Sequence, residues 1–155
     1  MTNKEIDNPD FLIIGSMKSG TTSLYNDLST HLALYMSSDK EPCILTKYNS
    51  INQIKAAYAA HFAKAENHQL CGEASTNYTK LPTYKGIVEK AYKLCDKHLK
   101  LIMIMRDPVE RIYSHLRHDI AGKHISINEI DTVVFNDPRY ISISNYAMQL
   151  APWVD

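Results

Sequence analysis

Glycine is scarce in this chain, with five in 155 residues. That excludes a collagen-like or glycine-rich low-complexity protein and makes each glycine present a candidate for a position that needs one. No apolar run approaches the ~20 residues that cross a bilayer, and the polar start Met1–Asp10 has no signal-peptide core. An excess of charge of one sign is missing too. Lys plus Arg and Asp plus Glu number 17 each, so no global field draws the chain to nucleic acid or an anionic membrane, and any anion site must be local. Cysteine is limited to Cys43, Cys71 and Cys95. An odd number without metal spacing reads as free thiols in a reducing cytoplasm, not as a disulfide framework. The seven histidines show no metal-ligand spacing, and His115 and His118, three apart, read as a polar helix surface.

What is present suits one globular domain with a proper core: 45% hydrophobic and 22% charged residues. Residues 1–9 read as a flexible arm and 10–155 as the domain. Strand candidates are Phe11–Ile14, Ala33–Met36, Leu70–Glu73 and Leu99–Met105. Between them, helices are expected after Gly20, behind the capping-box pattern Ser50–Gln53, and over about Pro82–Lys97. Asp107-Pro108-Val-Glu110 carries an N-cap, a proline for the first helical position and a Glu to complete a box, with the helix running to about Ile120. A last short helix over Ser144–Trp153 is expected to break at Pro152. Alternating strands and helices predict an α/β fold, a parallel sheet flanked by helices. Ligands of such sheets bind beyond the carboxyl ends of the strands, where Lys18, the Ser75 region and Arg106 all fall.

Phe11-Leu-Ile-Ile-Gly15-Ser-Met-Lys18-Ser-Gly20-Thr21-Thr22-Ser23 is the most informative stretch. An apolar strand, a loop with a glycine at each end and a helix start aim free N–H groups and the positive helix end at one point. Lys18 adds a charge, and Thr21, Thr22 and Ser23 add hydroxyl donors. The chemistry that suits this loop is binding a phosphate-like group. A nucleotide triphosphatase loop places its lysine directly after the second glycine. Here Lys18 stands two residues before Gly20, an order that resembles the 5′-phosphosulfate loop of sulfotransferases.

A second segment carries the same resemblance. In Met105-Arg106-Asp-Pro-Val-Glu-Arg-Ile-Tyr-Ser114 an arginine ends a strand and a serine follows eight residues later, about two helical turns on. This is similar to the sulfotransferase 3′-phosphate motif. Lys40-Glu41-Pro42 resembles the Lys-Glu-Pro segment of carbohydrate-type and related bacterial sulfotransferases, although Cys43-Ile44-Leu45 stands where relatives often carry His and aromatic residues. Gly72-Glu73-Ala-Ser75-Thr-Asn-Tyr78 resembles an acceptor-side segment of that family, without its proline. Ser144–Trp153 is weakly similar to a later stretch.

The resemblance implies a P-loop-like sulfotransferase fold lacking its C-terminal part, since members of the family run past this length. It implies 3′-phosphoadenylyl sulfate (PAPS) as donor, the bisphosphate PAP as product, no metal, and a small-molecule or carbohydrate acceptor attacking sulfur in line. Lys18, Ser19, Gly20, Thr21, Thr22, Ser23, Arg106 and Ser114 would bind the donor. Lys18 and Glu41 would be catalytic, with Glu41 the general base, and Lys40, Glu73 and Ser75 would line the acceptor side. Two other readings stay open. One is a P-loop kinase or NTPase, disfavoured by the lysine position and by the lack of an acid ending the Leu99–Met105 strand. The other is a binding module without turnover. Neither the oligomeric state nor the acceptor is legible in the sequence.

Overall fold

The computed structural model describes residues 6–95 and 98–154. Four parallel strands, β1 (Phe11–Gly15), β2 (Leu34–Met36), β3 (Leu70–Ala74) and β4 (Lys100–Met103), form one sheet in the order β2-β3-β1-β4. Eight α-helices are described with them: α1 (Thr21–Ser29), α2 (Ile44–Lys47), α3 (Ile51–His61), α4 (Ile87–Cys95), α5 (Pro108–Ala121), α6 (Ile130–Asn136), α7 (Pro138–Ser142) and α8 (Tyr146–Val154). The α/β fold with a parallel sheet is the one expected from the alternating pattern.

β1 is apolar throughout because it lies inside the sheet with both faces covered. Leu12 and Ile14 pack on one side with Ile44, Leu45, Ile54 and Tyr58, and Phe11 and Ile13 pack on the other with Leu24, Tyr25 and Leu28 of α1. Gly72 of β3 leaves room for the Phe11 ring, which a Cβ there would meet at 2.2 Å.

Several boundaries differ from expectation. β4 ends at Met103, two residues early, yet the chain keeps its course: Ile104 N–H donates to Gly15 O at 2.9 Å and Ser16 N–H to Ile104 O at 2.9 Å. α4 begins at Ile87, not Pro82; the expected end at Lys97 falls outside the described residues. Ser50 caps α3 in position only, without a side-chain bond. Asp107 does cap α5, accepting from Glu110 N–H at 2.9 Å, but the Glu110 carboxylate turns to Arg106 instead of closing the box. α8 runs through Pro152 unbroken. The proline sits in the last turn and forfeits one bond to the Met148 carbonyl, at an exposed residue that solvent reaches.

Residues 6–9 correct the expected arm in part. Pro9 is buried, Ile6 packs against the core, and Asp7 accepts from Lys55 Nζ at 2.8 Å. The helices α6 and α7 had no expectation. They bring Tyr140 onto α5, where its hydroxyl donates to Asp119 Oδ2 at 2.7 Å and its ring lies 4.7 Å from that of His115. His115 is therefore buried and not on a polar surface, while His118 is exposed. Burial pushes the His115 imidazole down to about 4, against the opposing pull of Asp119. Arg111, also fully buried, ties α5 to the following segment by donating to Ser144 Oγ and the Tyr140 carbonyl, both at 2.5 Å.

Candidate active site

A cavity of about 690 Å³ opens beyond the carboxyl ends of the strands. The loop after β1 contributes Lys18, Gly20, Thr21 and Thr22 to its wall. Lys40, Glu41 and Cys43 come from the segment after β2, Thr76, Asn77 and Lys80 from the turn after β3, and Arg106, Ser114 and His118 from the end of β4 and α5. Topology is the reason these distant residues meet: in a parallel sheet, all four strand ends face the same side.

The loop after β1 has a shape that calls for glycine at two places. Gly20 has φ 96° and is the N-cap of α1. Gly15 passes so close to the turn after β3 that a Cβ would lie 2.1 Å from Thr79 Oγ1. No side chain caps α1 and no acid stands in its first turn, so unmatched N–H groups and the positive helix end remain available to an anion. The Ser16 and Ser19 hydroxyls are buried without a hydrogen-bond partner. Lys18 makes no ion pair among the described residues. Unmatched donors beside a cation are what an oxyanion ligand satisfies, so Lys18 and the start of α1, which line the cavity, suit an anionic group. Ser19 and Ser23 do not line the cavity; Ser19 is half-buried in the loop, and Ser23 is exposed on α1.

The Glu41 carboxylate is held from two sides. Lys40 Nζ lies 2.6 Å from Oε1, while Oε2 accepts from Thr76 N–H at 2.8 Å and Thr76 Oγ1 at 3.2 Å, with Cys43 Sγ at 4.0 Å. A carboxylate offers about four lone-pair sites, so one on Oε1 remains for a substrate proton. Glu41 and Cys43 flank Pro42 with φ of 59° and 55°, and Lys18 has φ 69°. Left-handed backbone is uncommon outside glycine, and three of the four such non-glycine residues described line this one cavity.

Glu73 and Ser75 do not stand where a substrate could meet them. Both are fully buried and neither lines the cavity. The period-2 alternation of β3 turns Glu73 inward, where Tyr58 and Tyr78 donate to its Oε1 and Ser75 Oγ lies 3.4 Å from its Oε2. Burial pushes the Glu73 carboxyl up to about 7, although these three hydroxyls favour its charged form.

Arg106 holds its fork at the cavity edge, with Nη2 3.0 Å from Glu110 Oε2. Its backbone is clamped by the Tyr146 hydroxyl of α8, which accepts from Arg106 N–H at 3.3 Å and donates to Arg106 O at 2.8 Å. Sequence reasoning missed Lys80, which donates to Asn77 Oδ1 at 2.7 Å and whose ammonium is pushed down by burial. It also missed Thr76, Asn77 and Tyr146. A lysine two residues beyond Tyr78, directly after the resembling segment, was the available signal for Lys80.

A family model described as sulfotransferase domain matches residues 8–154. The membrane-associated sulfotransferase kil1 of Dictyostelium discoideum is 37% identical over 115 residues, covering 72% of this chain and 23% of that protein. The bifunctional heparan sulfate N-deacetylase/N-sulfotransferase of Drosophila melanogaster is 25% identical over 174 residues, covering 94% of this chain and 16% of that protein. The crystal structure of a sulfotransferase from Alicyclobacillus acidocaldarius matches with a TM-score of 0.77 and 22% identity, over 97% of this chain and 69% of that one. The chain thus spans less than a quarter of the length of these curated relatives. Among the described residues no helix is long and apolar enough to cross a membrane. With a family model covering nearly all of it, the chain belongs to the sulfotransferase domain family.

Proposed function

We propose that this domain transfers a sulfuryl group from PAPS to the hydroxyl or amine of a small-molecule or carbohydrate acceptor. The observation that carries the reading is one cavity that joins an uncapped helix start with Lys18, a second cation site at Arg106 and Ser114, and the oriented Glu41 carboxylate. Bound PAPS would supply the sulfuryl group and a phosphate leaving group. Lys18 and the N–H groups at the start of α1 meet the charge that grows on the leaving oxygen. Arg106 offers a planar fork of donors for the 3′-phosphate, and Ser114 adds a hydroxyl from the helix that follows. Glu41 takes the acceptor proton on Oε1, while Lys40 and Thr76 hold the carboxylate in place. A calorimetric titration with PAP in the absence of magnesium tests the reading. Binding is the expected result, and a magnesium-dependent preference for a nucleoside triphosphate overturns it.

A further inference from the structure

We propose that Glu73 is a positioning residue, which aims the Glu41 base by holding the turn over residues 41–45 through Ser75 and Tyr78. The role rests on Glu41 as the base of the transfer proposed above. Two buried arms run from the carboxylate to that turn. On one, Ser75 Oγ donates to Glu73 Oε2 and accepts from Cys43 N–H at 2.9 Å. On the other, the Tyr78 hydroxyl donates to Glu73 Oε1 and accepts from Leu45 N–H at 3.1 Å. Tyr58 of α3 braces the same Oε1 at 2.8 Å. Only Pro42 separates Glu41 from the first anchored amide, that of the left-handed Cys43. Such backbone persists only where its surroundings over-determine it, and these two arms supply that constraint.

Each arm works in one direction only. The Ser75 and Tyr78 hydroxyls each accept one N–H of the turn and give their proton to Glu73. Ionised Glu73 accepts all of them. A protonated Glu73 must itself donate, and every group facing it is already a donor: Tyr58 from α3, Tyr78 from the turn after β3, and Ser75 from the end of β3. Glu41, the other charged neighbour, opposes ionisation of Glu73. Protonating Glu73 therefore displaces one of these three donor protons and weakens the hold on the turn carrying Glu41, while the Lys18 loop, on a different strand, keeps its bonds.

Amide hydrogen exchange tests this without knowledge of the acceptor. Protection factors at Cys43 and Leu45 should fall about tenfold, the loss of one buried hydrogen bond, between about pH 8 and about pH 6, either side of the Glu73 value of about 7. Those of Leu12 and Ile13 in β1 should stay level. In Glu73→Gln the two amides should exchange fast at both pH values, and PAP affinity should match the parent's. If Glu73→Gln does not fold, Tyr78→Phe removes one arm and should expose Leu45 more than Cys43. Protection at Cys43 and Leu45 that ignores pH in the parent, or that survives in both variants, overturns the role. Failure of the parent to bind PAP strikes the donor reading instead, and is seen separately in the same samples.

Discussion

Lys40 Nζ lies 2.6 Å from Glu41 Oε1, so the one carboxylate among the described residues lining the cavity is already neutralised by its sequence neighbour. Lys18 and Lys80 are left as cations lining it, with Arg106, paired to Glu110, at its edge. A chain with no net charge thus concentrates positive potential where a multiply charged nucleotide would sit.

The pair makes Glu41 the residue to test first. Glu41→Gln keeps the shape and the bond from Thr76 N–H but accepts no proton. Turnover should fall by about 10²–10⁴-fold, the usual scale for losing a general base, with PAP affinity nearly intact. Steady-state kinetics beside calorimetry separate the two effects, and parent-like turnover would place the base elsewhere.

Lys18→Ala removes the cation nearest the uncapped start of α1. Losing one charge-assisted contact typically costs about 1.5–3 kcal/mol, so PAP should bind roughly tenfold or more weakly. Circular dichroism should show a folded variant, because Lys18 packs nothing in the core. Unchanged affinity would remove Lys18 from the donor site.

Arg106 distinguishes this cavity from a generic phosphate loop. PAP should bind more tightly than AMP, which lacks only the 3′-phosphate, and Arg106→Ala should erase most of that preference. Two ligands measured on two proteins isolate the contact. The exposed Arg106–Glu110 pair is worth little in water, so it does not withhold the guanidinium from a phosphate.

Glu73 sets a pH dependence of stability with a definite sign. Its carboxyl titrates near 4.5 when unfolded and is pushed up to about 7 by burial in the fold. Between those values the folded state holds a proton that the unfolded state has lost, so stability falls as pH rises. At about 1.4 kcal/mol per pH unit, the loss from this group is on the order of 3 kcal/mol and is complete above about pH 7. Urea unfolding of the parent and Glu73→Gln across this range should show the extra slope in the parent alone.

Gly72→Ala tests the packing of the sheet on α1's side. The added Cβ meets the Phe11 ring at 2.2 Å, inside any tolerable contact. Overpacking of this kind costs about 1–3 kcal/mol, to be read as a lowered denaturation midpoint with an unchanged slope.

The strands and α5 were legible because their signals are local: an apolar run for β1, and Asp107-Pro108 at a helix start. Lys18, Gly20, Thr21 and Thr22, which line the cavity, were legible as a group because they lie in one continuous stretch whose loop and helix start already face one point. The acceptor side was legible only in part. Lys40 and Glu41 reach the cavity, but Glu73 and Ser75 look the same in sequence as residues that would. What hides them is the pairing of Glu73 with Tyr58 and Tyr78, and no spacing within residues 72–78 reveals a tyrosine on α3. Likewise His115 and His118 share a helix, and only the arrival of Tyr140 from α7 buries one and leaves the other in solvent.

The strand order β2-β3-β1-β4 also bears on how domains of this kind diverge. The Lys18 loop follows β1, which is laced to neighbours on both sides, so any drift in that loop disturbs two other strands. The Lys40–Cys43 segment follows β2, three residues long and paired on one flank only. Substitutions accumulate most cheaply there. New preferences can then arise at the rim of the sheet while the loop at its centre stays as it is.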